Sequence, residues 1–196
     1  MSIAVFASGS GSNFQALVEA SRADGWPEPI RLLVCDRPGA GVLERAEKLD
    51  VPSLLVDPKR FPSKADYEAE ILNRLRREGI DRLVLAGYMR LIGSTLLDAY
   101  RWRIVNIHPS LLPSFPGKDA VGQALEYGVK WTGVTVHFVD EGMDTGPIID
   151  QEPVRIEEGD DRASLTRKIQ AVEHRMYPAV ILDWISGRIK EPARSS

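Results

Sequence analysis

Cysteine is nearly absent: Cys35 stands alone in 196 residues. That excludes an intramolecular disulfide framework and a multi-cysteine zinc site, and with them any need for an oxidising compartment. Histidine is scarce as well. His108, His137 and His174 fall in separate elements without ligand spacing, and the acidic stretch 140–147 lacks the alternating acids of a calcium loop, so no metal is expected. No apolar run approaches the length that crosses a bilayer. The opening residues, Met1 to Phe6, carry no basic stretch and do not read as a signal peptide. Internal repeats, low-complexity segments and linkers are missing. Neither charge sign dominates: 25 basic and 28 acidic residues give a net charge of −3. Nucleic acid and anionic membranes therefore exert no global pull, although a local basic pocket for a small anion stays open. What is left is a cytoplasmic globular chain, 43% hydrophobic and 27% charged. Its length suits one domain of ordinary size over 1–188, with a tail at 189–196 expected to fray.

Short apolar runs at Ile3–Ala7, Ile30–Cys35, Ser53–Val56, Arg82–Ala86 and Arg103–Ile107 predict strands. Helical spacing lies between them: Phe14, Leu17, Val18 and Ala20; Val42 to Leu49; Tyr67 to Arg77 with Gly79 as its stop; and Leu96 to Tyr100. The strands are apolar on both faces. That predicts an α/β fold, a doubly wound, mostly parallel sheet flanked by helices. Beyond it, Pro109, Pro113, Pro116 and Gly117 predict a fixed loop, and Val121–Tyr127 a helix. Thr132–Val139 reads as a strand with one wetter side, and Ile148–Val154 as a last strand interrupted by Pro153. Arg162–Ile185 is the longest helix, in which Pro178 predicts a kink or restart.

Ser8-Gly9-Ser10-Gly11-Ser12-Asn13 joins the first strand to the first helix. Glycines let backbone approach an anion, and a helix N-terminus offers unpaired N–H groups. A phosphate suits this place; the plainer alternative is that Ser12 or Asn13 merely caps the helix. A Walker loop would need a lysine that is missing. A dinucleotide loop would need glycine where Phe14 stands, although Asp36, at the end of the second strand, could serve as a ribose-binding acid. A single phosphomonoester fits better.

Asn106-Ile107-His108-Pro109 ends a central strand on the same sheet edge as the glycine loop. At strand spacing Asn106 and His108 point the same way. An amide donor beside an imidazole can stabilise a developing oxyanion and move a proton; the alternative is a structural pair anchoring the proline-rich loop. A carboxylate from the acidic loop near His108 would favour the imidazolium form. No serine elbow is present, and Cys35 has no activating neighbour in sequence, so covalent catalysis is not demanded.

Four segments together resemble the folate-dependent phosphoribosylglycinamide formyltransferases, over residues 3 to about 188. They are S-G-S-G-S-N after the first strand, A-G-Y-M-R-L-I at 86–92, N-I-H-P-S-L-L-P at 106–113, and D-x-G-P-I-I-x-Q from Asp144 to Gln151. The resemblance implies a Rossmann-like formyltransferase fold. It implies that 10-formyltetrahydrofolate, as co-substrate, gives its formyl group to the amine of glycinamide ribonucleotide in purine biosynthesis. Asn106, His108 and Asp144 match the catalytic trio. Gly11, Ser12 and Asn13 match the segment that holds the substrate phosphate, and Glu173 with Gln170 the ribonucleotide-binding helix. Lys64, Met89, Arg90, Leu91, Ile92, Asp140 and Glu141, together with Asn106 and Asp144, match folate-binding positions. The partners implied are these two small molecules, with no nucleic acid or membrane, and a chain acting as monomer or homodimer.

The chain departs from many relatives after Pro116-Gly117, where they carry histidines and this one reads Lys118-Asp119. His108 thus becomes the main proton-bearing candidate, with His137 structural or supporting and His174 on the helix surface or at the pocket edge. Two other outcomes stay open: hydrolysis of 10-formyltetrahydrofolate, and a nucleotide-binding module that transfers nothing.

Overall fold

The computed structural model describes residues 1–192. Strands and helices alternate through its first half: β1 (Ile3–Ala7), α1 (Ser12–Ala23), β2 (Ile30–Cys35), α2 (Gly41–Lys48), β3 (Ser53–Leu55), α3 (Lys64–Arg77), β4 (Arg82–Leu85), α4 (Ser94–Ala99) and β5 (Ile104–His108). Then come α5 (Ala120–Tyr127), β6 (Trp131–Phe138), β7 (Ile148–Arg155) and α6 (Arg162–Ile185). The seven strands lie in the order β3-β2-β1-β4-β5-β6-β7. The first five are parallel, while β6 and β7 join antiparallel. The expected doubly wound, mostly parallel α/β sheet is thus the observed one.

Alternation of side chains splits the core in two. Ile3, Val5 and Ala7 of β1, Val84 of β4 and Val105 and Ile107 of β5 face a cluster built with α1, α2 and α6. Ala4, Phe6, Leu83, Leu85 and Ile104 face α3 and α4 on the other side. At strand periodicity Asn106 and His108 share the face of Ile104. Helices α3 and α4 cover that face up to β5. Beyond it the covering comes from the proline-rich and acidic loops, and this is where polar residues collect.

Several local expectations change. The side of β6 read as wetter is polar yet buried, because those loops lie over it: Thr135 is 0% and His137 2% exposed. Pro153 does not interrupt β7, an edge strand on which the missing N–H removes no bond to a second neighbour. Helix α6 runs through Pro178 without restarting, its buried Met176, Tyr177 and Ile181 packed on the sheet. Helix α3 starts three residues before Tyr67 because Ser63 caps it, Oγ accepting from Asp66 N–H at 3.1 Å. Ile189 packs against the core and Glu191 reaches Arg82 at 3.6 Å, so the chain stays docked beyond residue 188. The rest of the tail expected to fray, residues 193–196, lies outside the described residues.

Tyr177 joins α6 to the strand ends that carry the site. Fully buried, its hydroxyl lies 2.8 Å from the Leu85 carbonyl, to which it donates, and 3.2 Å from that of Val105. Tyr177→Phe is expected to destabilise the fold by about 1–2 kcal/mol, because the Leu85 carbonyl loses its donor in a dry environment. Denaturant unfolding measures this, and an unchanged midpoint would overturn the anchoring role.

Candidate active site

The carboxyl ends of β1, β4 and β5 open into one cleft of ≈ 680 Å³. It lies where the strand order reverses about β1, the place at which open α/β sheets hold ligands.

One end of the cleft is the N-terminus of α1. Gly11 is the N-cap, with φ 80°, and supplies no side-chain hydrogen bond. Ser12 and Asn13 already lie inside the helix, so neither caps it, contrary to the plainer alternative for this loop. The first N–H groups of α1 are left for a guest. Glycine is required at position 11: besides its left-handed φ, a Cβ there would lie 2.5 Å from Val42 Cγ2 and 2.9 Å from Val42 Cα. Asn13 Nδ2 donates to Glu173 Oε2 at 2.9 Å, while its buried Oδ1 has no partner among the described residues. Burial holds the Glu173 carboxyl above its ordinary value, against the opposing pull of the Asn13 donor. Gln170 lines the cleft one turn away.

The other end is apolar. Met89 and Leu91 from the segment after β4, and Met143 from the acidic loop, are exposed at its rim. Arg90 and Ile92 line it as well.

Between the two ends sit Asn106, His108, His137 and Asp144. The β5–β6 register places Asn106 opposite His137 and His108 opposite Thr135. Asp144 has φ 57°, a left-handed conformation that aspartate tolerates. Its Oδ2 lies 3.4 Å from His108 Nδ1 and accepts the Gly117 N–H at 2.7 Å, and its Oδ1 lies 3.6 Å from His137 Nε2. Burial pulls the Asp144 carboxyl up, but His137, the Gly117 N–H and His108 together hold it below the usual carboxylate value. His137 Nδ1 lies 2.8 Å from the Phe138 carbonyl, to which it donates. Its Nε2 then accepts from Asn106 Nδ2 at 3.2 Å. One amide proton of Asn106 is thereby fixed and the other is left for the cleft. His108 Nε2 donates to the Phe115 carbonyl at 2.8 Å.

The proline-rich loop that closes over these groups is pinned from below. Thr135 Oγ1 donates to the Ser110 carbonyl at 2.6 Å and accepts from Leu112 N–H at 3.0 Å. Gln151 Nε2 lies 2.9 Å from both the Leu112 carbonyl and Thr135 Oγ1. Ser110 Oγ donates to the Ser114 carbonyl at 2.6 Å. Two motifs distant in sequence thus meet through Thr135, whose part no local pattern signals.

Of the expected site residues, Gly11, Ser12, Asn13, Met89, Arg90, Leu91, Ile92, Asn106, His108, Asp144, Gln170 and Glu173 all line this cleft. Three do not. Lys64 opens α3 with its side chain beside Gly93. Asp140 accepts from Gly142 N–H and Thr145 Oγ1 and so shapes the turn. Glu141 pairs with Arg101 at 2.8 Å and is exposed. The acidic loop instead offers the cleft Gly142, Met143 and Asp144. Asp36, considered as a ribose acid, is buried and bonded to Ser8 and Arg90.

Residues 1–181 match the family model described as formyl transferase. The phosphoribosylglycinamide formyltransferase of Bacillus subtilis (strain 168) is 54% identical over 178 residues, covering 91% of each chain. The crystal structure of phosphoribosylglycinamide formyltransferase from Bacillus halodurans is similar at a TM-score of 0.93 and 54% identity, over 96% of this chain and 97% of that one. Glycinamide ribonucleotide transformylase 1 from Geobacillus kaustophilus is similar at a TM-score of 0.91 and 58% identity, over 93% and 97%. With a family match over nearly its whole length and relatives above half identity, the chain belongs to the formyl transferase family.

Proposed function

We propose that this chain transfers the formyl group of 10-formyltetrahydrofolate to the amine of glycinamide ribonucleotide, a step of purine biosynthesis. The observation that carries this is the placement of Asn106, His108 and Asp144 midway between an open helix N-terminus and an apolar rim in one cleft. The phosphate of the ribonucleotide takes the N–H groups at Gly11, Ser12 and Asn13. Glu173 and Gln170 hold its ribose and glycinamide end. The folate lies along Met89 to Ile92 and Met143. The relatives named above are by name formyl-transferring enzymes of glycinamide ribonucleotide, and the cleft has matching chemistry at both ends.

In the reaction the amine lone pair attacks the formyl carbon, forming a C–N bond and a tetrahedral oxyanion. Asn106 Nδ2–H donates to that oxygen, and so does His108 Nε2–H, which leaves the Phe115 carbonyl to do so. Asp144 holds the ring in place and receives the proton leaving the amine through water. Collapse breaks the bond to folate N10, which takes up through water the proton that Asp144 received. No acyl-enzyme forms, and catalysis consists of positioning and oxyanion stabilisation. Residues 1–188 act as one unit, in the cytoplasm, as monomer or homodimer. Among the described residues no helix is long and apolar enough to cross a membrane.

The test follows loss of the formyl group from 10-formyltetrahydrofolate by absorbance, with and without glycinamide ribonucleotide. Turnover that requires the ribonucleotide is the expected result. Turnover without it would mean hydrolysis and would overturn the proposal, as would none in either condition.

Glu173→Gln separates binding from stability. A carboxyl whose value is raised by folding contributes its stability below the unfolded value of ~4.3 and loses it as pH rises through the folded one. At pH 7.5 the variant is therefore expected to melt higher than the wild type, by ~2–4 °C if the gain is about 1 kcal/mol. Its KM for the ribonucleotide rises while that for folate holds. A lower melting point at pH 7.5 would count against burial as the cause of the shift.

A further inference from the structure

Asp36 ends β2 with a side chain that is 6% exposed, and none of the proposed chemistry uses it. It is nevertheless the centre of a network joining three strand ends. Its Oδ1 accepts the Ser8 hydroxyl at 2.5 Å, and that hydroxyl oxygen accepts the Met89 N–H at 2.9 Å. Its Oδ2 accepts from Arg90 Nε at 3.1 Å. Ser8 is itself held by its own N–H, which donates to the Gly87 carbonyl at 3.1 Å. One carboxylate thus fixes the backbone of the cleft rim through Ser8 and its cationic side chain directly.

The result is an arginine aimed in one direction. With Nε on Asp36, the guanidinium carbon lies 5.7 Å from the centre of the Tyr67 ring. Tyr67 is tied by its hydroxyl to that of Tyr88 at 2.5 Å, and Tyr88 packs edge-on against Phe6. One edge and one face of Arg90 are therefore occupied. Among the described residues its Nη1 and Nη2 have no hydrogen-bond partner, and the side chain is 44% exposed at the cleft. An edge carrying two parallel N–H donors matches a carboxylate in bidentate geometry. The apolar rim beside it takes a ring system.

Resting on the folate-dependent transfer proposed above, we propose that Asp36 is a positioning residue of the folate site. It orients the open edge of Arg90 toward a carboxylate at the tail of the ring-bearing ligand, and through Ser8 it holds Met89 in register. Asp36→Asn keeps the volume and can still accept from Ser8, but it turns an amide N–H toward Arg90 Nε and unseats the arginine.

The experiment is equilibrium binding to the full chain, comparing tetrahydrofolate with tetrahydropteroate, which lacks the glutamyl carboxylates. For tetrahydrofolate, Asp36→Asn is expected to raise Kd about tenfold, the size of one charge-assisted contact. For tetrahydropteroate, Kd stays within about twofold. Arg90→Met gives the same pattern, and the double variant is no weaker than either single one, because both act through one contact. In turnover the KM for 10-formyltetrahydrofolate rises while kcat and the ribonucleotide KM hold. Equal losses for both ligands, additive effects with Arg90→Met, or a fall in kcat at constant KM would overturn the proposal. If Asp36→Asn fails to fold, the Arg90→Met ligand pair decides between the same outcomes, and Ser8→Ala tests the Met89 link. These binding readouts need no formyl transfer. A wild type that binds tetrahydrofolate but transfers no formyl group would fail the proposed function and leave Asp36 standing; the reverse pattern would fail Asp36 alone.

Discussion

His108→Ala is expected to lower kcat by about 10²–10³, the usual loss when one donor to a developing oxyanion is removed. The ring sits in the right place for this: the side chain is 6% exposed, with one nitrogen 3.4 Å from Asp144 and the other 2.8 Å from the Phe115 carbonyl. The KM for each substrate should change far less, because the contact strengthens only as charge develops on the formyl oxygen. Truncation also leaves the Phe115 carbonyl without its donor, so some stability is lost, about 1–3 kcal/mol. Assays are therefore run well below the melting temperature of the variant. Asn106→Ala provides the companion case. It removes the second donor and also leaves His137 Nε2 without its amide partner. Wild-type turnover in both variants would remove these residues from the reaction.

Asp144→Asn is expected to cost about 10²–10⁴ in kcat, the range of general acid–base catalysis and of carboxylates that orient a catalytic imidazole, and to change the acid side of the pH profile. The carboxylate contacts three groups: His108, His137 and the Gly117 N–H. An amide can still accept from Gly117, but it brings no negative charge to the two rings. Linkage fixes the sign of the stability effect. The Asp144 carboxyl is held below its ordinary value by these partners, against burial. Its contribution is complete above the unfolded value of ~3.9 and is lost as pH falls through the lower folded value. Melting curves of the wild type should therefore fall more steeply below about pH 4 than those of Asp144→Asn. Parallel curves would mean that the three contacts do not stabilise the ionised form. A pH–rate profile unchanged by the substitution would detach Asp144 from His108.

Both expectations concern residues that could be named before any tertiary contact was known. Strand periodicity alone put Asn106 and His108 on one face at the end of a central strand. Composition placed the glycine-rich turn at the mouth of the first helix, and doubly apolar strands implied the parallel sheet with helices on both sides. Such features are legible because they depend on neighbours one to four residues apart. Tertiary packing overrides other local signals. A proline disrupts an isolated segment, so Pro178 predicts a kink or restart and Pro153 an interruption. In the fold, one lies in a helix packed on the sheet and the other in an edge strand. The wetter side of β6 was judged from its threonine and histidine, and those residues turn out to be buried beneath two loops.

By itself, the sequence determined the class of fold, the order of its elements, the glycine-rich turn at one end of the cleft and the placing of Asn106 and His108 on one strand face. Only the tertiary structure decided how these meet. Asn106 stands opposite His137 through the antiparallel register of β5 and β6, which no local spacing specifies. Asp144 reaches His108 across 36 residues of chain by loop geometry, and Gln151 reaches the proline-rich loop across 39 because the β6–β7 register sets it opposite Thr135. Asp36 was a candidate ribose acid in the sequence and became the anchor of Arg90 in the fold, because parallel pairing brings the ends of β1, β2 and β4 side by side. Local propensity is written residue by residue; partnership between distant side chains is set by which strands pair and in what register.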